Sequence, residues 1–129
     1  MIFVDTNVFM YAVGRSHPLQ EEARTFFSSA ATDQEALYTS SEVMQELLHA
    51  YLPVNRISTL DNALDLITRT IIEVWPLEAD DTILARQLHD QYPELGARDL
   101  CHLASCRRRG VSTIKTFDRG LAIMAARFF

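Results

Sequence analysis

Apolar and polar positions follow two rhythms along this chain: short solid apolar runs, and longer stretches in which apolar residues return every third or fourth position. The first run, Ile2 to Val4, reads as a short buried strand, and Asn7 to Val13 reads as a helix stopped by Gly14. Pro18 suits a first helical turn, so Pro18 to Ala30 is predicted helical, with Leu19, Ala23, Phe26 and Phe27 on one side. Ala36 to Thr39 is a second short strand. Thr39-Ser40-Ser41-Glu42 has the form of a capping box, with Tyr38 and Val43 placed as its hydrophobic staple. It predicts a helix from about Ser40 to Leu52, ended by Pro53.

Ile57, Leu60, Leu64 and Ile67 mark a helix over Arg56 to Thr70, and the β-branched run Ile71 to Trp75 marks a third strand closed by Pro76. Asp80 or Asp81 is placed to cap a helix through Tyr92, which Pro93 breaks. Ala97 to Arg109 is a further helix with Gly110 just beyond its end, and Ser112 to Phe117 is the last strand, followed by Asp118-Arg119-Gly120. Strands and helices thus alternate throughout. That order predicts an α/β domain with a mostly parallel sheet, a single unit over residues 1–129 with no repeat or linker.

Composition adds exclusions. Hydrophobic residues are 48 % and charged residues 22 % of the 129, a globular balance that buries about two thirds of the unfolded surface. No stretch approaches the roughly 20 apolar residues of a membrane helix, and Asp5 cuts the N-terminus too early for a signal peptide, so the expected location is the cytoplasm with no membrane partner. Cys101 and Cys106 fall in one predicted helix, too far apart for the roughly 7 Å limit of a disulfide, and are expected to be reduced and to pack. The net charge of −5 is the wrong sign for a broad basic surface that holds nucleic acid. Lys115 is the only lysine, so the positive charge is nearly all guanidinium; that suits bidentate phosphate contact, and genomic base composition would give the same bias.

The candidate chemistry lies in four carboxylates. In an open parallel sheet, ligands gather beyond the carboxyl ends of the strands, and both Asp5 and Asp118 directly follow an apolar strand. Each alone also reads as a helix cap or an Asx turn. Glu42 is taken by the capping box, whereas Glu46 lies on the shoulder of the face made by Val43, Met44, Leu47 and Tyr51, where it borders both core and solvent. Asp99 lies beside Leu103 on its helix, and it equally suits the first turn as a partner of the helix dipole. Four convergent carboxylates, with no histidine pair at ligand spacing, describe an all-oxygen site for a hard cation, Mg²⁺ or Mn²⁺. Four of the five excess negative charges are these residues.

The set formed by DTN after the first strand, Glu46 in SEVMQELL, Asp99 in ARDLCHLA and Asp118 in TFDRGL resembles the PIN-domain ribonucleases, most closely the VapC-type toxins of toxin-antitoxin pairs. The resemblance runs from Met1 to at least Leu121. It implies an α/β/α sandwich around a mostly parallel sheet of four to five strands, a homodimer, metal-dependent cleavage of RNA, and a cognate antitoxin protein. By position, Asp5, Glu46, Asp99 and Asp118 match the family's acidic quartet as metal ligands and catalytic residues, Thr6 and Asn7 its polar pair, and Thr116 its hydroxyl two residues before the last aspartate. Arg98 and His102 mark a variant within the pattern. For RNA contact the candidates are Arg98, Arg107 and Arg119; Arg107 to Arg109 also suit the negative end of a helix dipole, and Arg98 suits a pair with Asp99 or Glu94.

Two rivals are distinguishable. Glu46-Leu-Leu-His49 is an E-x-x-H and Asp99-Leu-Cys-His102 its aspartate analogue, which raises a di-iron helical bundle; the predicted strands oppose it. A non-catalytic PIN-like or receiver-like binding module is the other. A receiver places an acidic pair after its first strand and a lysine after a late one, whereas here Thr6 and Asn7 follow Asp5 and Lys115 lies inside a strand.

Overall fold

In the computed structural model, which describes residues 1–128, one sheet is flanked by helices on both faces. Its strands are β1 (Ile2–Val4), β2 (Leu37–Ser40), β3 (Glu73–Trp75) and β4 (Ile114–Lys115). The helices are α1 (Thr6–Val13), α2 (Gln20–Thr32), α3 (Ser41–Tyr51), α4 (Ile57–Thr70), α5 (Ala79–His89), α6 (Ala97–Arg108) and α7 (Arg119–Phe128). The strand order is β3-β2-β1-β4, and all pairings are parallel. Phe129, the last residue of the expected domain, lies outside the described residues. The predicted α/β/α sandwich is therefore present, with four strands, and the sheet removes the helical-bundle alternative.

Two apolar clusters hold the layers. One joins the sheet to α1, α2, α3 and α4 through Phe9, Phe27, Leu47 and Leu60; the other joins α5, α6 and α7 through Leu88, Leu103 and Leu121. Ile114 packs against both, because the sheet lies between them. No helix among the described residues is long and apolar enough to cross a membrane.

The connection order positions the site. From β1 the chain steps outward to β2 and β3 on one side, then returns to place β4 on the other side of β1. The carboxyl ends of β1 and β4 thus form the topological switch point, the place where an open α/β sheet leaves a crevice. Asp5 follows β1 directly, and Thr116 to Asp118 follow β4.

Several local expectations are corrected. The cap of α3 is Ser40, whose hydroxyl accepts the Val43 N–H at 3.3 Å; Thr39 stays in β2 and donates to the Val4 carbonyl at 2.9 Å. Glu42 therefore closes no capping box. A reciprocal acidic cap occurs instead at α5, where the Asp81 carboxylate accepts the Glu78 N–H at 2.9 Å. Helix α7 is an element that the hydrophobic pattern before Gly120 does not announce.

Candidate active site

Asp5 serves two parts of the fold at once. Its Oδ1 accepts the Thr6 N–H at 2.8 Å, which caps α1, and its Oδ2 accepts the Thr116 hydroxyl at 2.7 Å. Its own N–H reaches the Lys115 carbonyl at 3.0 Å, so β4 fixes the backbone that aims it. Only 7 % of the residue is exposed. The bland reading of Asp5 as a helix cap is thus correct and does not compete with a role in the cleft.

Thr116 is the junction of the site. Besides donating to Asp5, its oxygen accepts the Asp118 N–H at 3.0 Å and the Asn7 side-chain amide at 3.4 Å. Asn7 in turn accepts the Phe117 N–H at 3.1 Å, and Asp118 Oδ1 accepts the Leu121 N–H at 3.1 Å as the cap of α7. A Cβ on Gly120 would stand 3.2 Å from that same oxygen, so a larger residue in the first turn would crowd this cap. Thr116 and Phe117 are therefore held by Asn7 of α1, and Asp118 by Thr116.

Glu46 enters from α3. The Thr6 hydroxyl donates to its Oε2 at 2.6 Å, and Arg98 Nε stands 3.9 Å from Oε1. Burial alone would raise the Glu46 carboxyl, but His102, the Thr6 hydroxyl and Arg98 outweigh it and hold it below the usual range. Arg98 thus faces Glu46 rather than Asp99 or Glu94.

Asp99 comes from the first turn of α6. Its carboxyl is pushed above the ordinary value, first by burial and then by the charge of Asp5, with Asp118 and Glu46 adding to it and His102 opposing. Carboxylates from three other parts of the chain thus act on Asp99. With Thr6, Asn7 and Arg98 the four line one open cleft of about 560 Å³.

Beneath the cleft lies His102, the histidine of the Asp99-Leu-Cys-His102 spacing. It is 1 % exposed, with Nε2 at 3.7 Å from Asp5 Oδ1 and 3.8 Å from Glu46 Oε1, and its ring packs on Phe3 at 5.1 Å. Burial pushes the imidazole down, but Glu46, Asp5 and Glu42 outweigh that and hold it above its ordinary value.

Among the described residues, no group of three or more His, Cys, Asp or Glu side chains is arranged as it stands to hold a metal ion. The chemistry of the donor set nonetheless fits a hard divalent cation: the donors are carboxylate oxygens, and the charges of Asp5, Asp118 and Glu46 add to burial in raising Asp99.

The arginines divide. Arg98 lines the cleft, and Arg119 is exposed beside Asp118. Arg107 lies in the last turn of α6, about 12 Å along the helix from Asp99. Arg108 and Arg109 turn to α5, each reaching Asp81 Oδ1, at 2.7 and 3.0 Å.

Residues 2–126 match the family model described as PIN domain. The chain is 62 % identical over 122 residues to ribonuclease VapC23 of Mycobacterium tuberculosis (strain ATCC 25618 / H37Rv), covering 95 % of this chain and 96 % of that relative. Among solved structures, that of VapC20 of Mycobacterium tuberculosis, described as a sarcin-ricin loop cleaving toxin, superposes with a TM-score of 0.74 at 20 % identity, covering 96 % of this chain and 95 % of that one. VapBC2 from Rickettsia felis, bound to a DNA fragment from its promoter, gives 0.73 at 20 % identity, covering 99 % and 93 %. At such identities the two structures share the fold alone.

Proposed function

The chain belongs to the PIN domain family, in its VapC branch, and from that membership we propose that it is a metal-dependent endoribonuclease, the toxin of a toxin-antitoxin pair. The observation that carries the reading is the meeting of Asp5, Glu46, Asp99 and Asp118 in one cleft at the switch point, with Asp99 raised by burial and then by the charges of the other three. Ribonuclease activity in a relative of 62 % identity supports it, and solved complexes of the same fold with antitoxins support a protein partner.

Asp5, Glu46, Asp99 and Asp118 would hold Mg²⁺ or Mn²⁺. Such an ion, when bound, lowers the pKa of a coordinated water and neutralises charge on the scissile phosphate. The protein's own task is then positional. Thr116 and the Thr6 N–H fix both oxygens of Asp5, Thr6 fixes Glu46, and Leu121 N–H fixes Asp118, so three of the four carboxylates face the cleft in set orientations. Arg98 stands at the rim, where a guanidinium meets an RNA phosphate.

The test is cleavage of RNA by the purified chain with Mn²⁺, after chelator treatment, and by Asp5→Asn. Wild type is expected to cleave only when metal is restored, and Asp5→Asn to lose at least about a hundredfold in rate. Equal rates for the two proteins, or cleavage indifferent to chelator, would overturn the reading.

A further inference from the structure

Next to the acidic cleft, and sharing Asn7 and Met10 with it, is a second hollow of about 370 Å³ whose chemistry is the opposite. Asn7, Met10 and Tyr11 share one face of α1 with Gly14 at its C-terminal cap, so the hollow extends about 10 Å along the helix from the edge of the cleft. At Gly14 a Cβ would fall 2.7 Å from the Met10 carbonyl oxygen. Only glycine allows the chain to leave the helix there and carry Arg15 to His17 back across Tyr11.

The walls are aromatic rings and guanidinium groups. The exposed His17 ring packs on Tyr11 at 4.6 Å, with its Nδ1 accepting the Leu19 N–H at 3.1 Å, and Tyr11 meets Phe117 edge-on at 5.5 Å. Phe117 is held by Asn7, so this stack is tied directly to the residues of the cleft. Across the hollow, Arg56 lies 5.4 Å over the ring of Tyr51 and spends one Nη2 bond on Thr59. Arg15 is exposed at the mouth.

Neither Arg15 nor Arg56 pairs with a carboxylate among the described residues, whereas Arg69, Arg86, Arg98, Arg108 and Arg109 all do. In a chain of net charge −5 the hollow is thus a local positive site beside the acidic one. Ring faces with guanidinium groups and no carboxylate in the wall suit a nucleotide: a base stacks on the aromatic pair and its phosphate meets the arginines.

We propose that this hollow is a subsite for a nucleotide adjacent to the scissile phosphate, its base stacked on the His17–Tyr11 pair and its phosphate held by Arg15 and Arg56. The inference rests on the ribonuclease reading, and the two fail differently. The experiment is Mn²⁺-dependent cleavage of a fluorescently labelled, short single-stranded RNA by the full chain, with thermal melts to confirm folding. His17→Ala is expected to raise KM about tenfold, and His17→Phe, which keeps a ring, to restore most of it. Arg15→Gln with Arg56→Gln should raise KM by a similar factor and flatten its dependence on salt. Arg86→Gln, on the exposed face of α5, sets the scale for losing one surface charge. If wild type cleaves but these variants keep KM within about twofold, or Arg86→Gln raises KM as much as Arg15→Gln with Arg56→Gln does, the subsite is overturned and the nuclease stands. If wild type does not cleave RNA, both fall.

Discussion

At the scale of single residues, Thr116 carries more of the site than any carboxylate does, because one hydroxyl donates to Asp5 and accepts from Asp118 and Asn7. Thr116→Val keeps the shape and removes all three bonds. The expected result is a loss of RNA cleavage of roughly 10- to 100-fold, with about 1 kcal/mol of stability, as measured by steady-state rates and urea unfolding. A rate within twofold of wild type would show that Asp5 needs no such support. Asp5 and Asp118 are legible in the sequence because each follows a strand, and Asp99 because it opens a helix; Glu46 shows only as a shoulder position on its helical wheel, and Thr116 only through the family resemblance. His102 was not so legible. Half of α6 is buried, with His102 to Cys106 buried in one unbroken run, so a helical wheel shows no boundary between a core position and one beneath a cleft. The spacing of Asp99 and His102, one turn apart on the same face, was the available signal.

Among the elements, the second packed layer depends on a junction that the sequence shows only in halves. Arg108 and Arg109 read as dipole partners at the end of a helix, and Asp81 as a cap. Instead they meet: Asp81 is fully buried, holds the Glu78 N–H, and accepts from both arginines, joining the start of α5 to the end of α6. No pattern of period 3.6 reports a contact between residues 27 apart. Burial raises the Asp81 carboxyl, but the Glu78 N–H and the two guanidinium groups outweigh it and leave it below the usual range. A depressed carboxyl contributes stability that is complete above its unfolded pKa and lost as pH falls through the folded one. Asp81→Asn is therefore expected to cost about 2–4 kcal/mol near neutrality, a difference that shrinks below about pH 4. Urea unfolding across that range is the measurement; a constant difference at all pH values would deny the junction its charge. Helix α7 was missed for a related reason. Gly120 resembles a break, yet it sits where the Asp118 cap leaves little room for a Cβ, and the apolar spacing of Leu121, Met124 and Ala125 begins only after it.

For the whole molecule, the alternation of runs and periods was enough to predict the layered parallel fold, because each apolar face needs a partner and parallel strands need helical crossovers. Strand lengths and order were less visible. β4 is two residues long because only Ile114 and Lys115 find partners on the three-residue β1, a fact of pairing rather than of local propensity. What the order adds is a concentration of charge: it brings Asp5 and Asp118 to the same crevice and leaves Glu46 and Asp99 to close it, so much of the net negative charge acts at one point. Such a crevice favours a cation at the expense of the folded chain without one. Asp99, raised by burial and by Asp5, Asp118 and Glu46, loses stability as pH climbs from its unfolded pKa through the folded one, so at neutrality its charge is a net cost. In chelator, Asp99→Asn is expected to melt higher than wild type, by an amount on the order of 1 kcal/mol. Added Mn²⁺ should then raise the melting temperature of wild type and leave the variant nearly unmoved, since binding stabilises only the protein that keeps its ligands. Thermal melts of both proteins with and without Mn²⁺ decide it: a variant less stable than wild type in chelator would mean that Asp99 holds the fold together, and not that the fold holds Asp99 against repulsion for the sake of an ion.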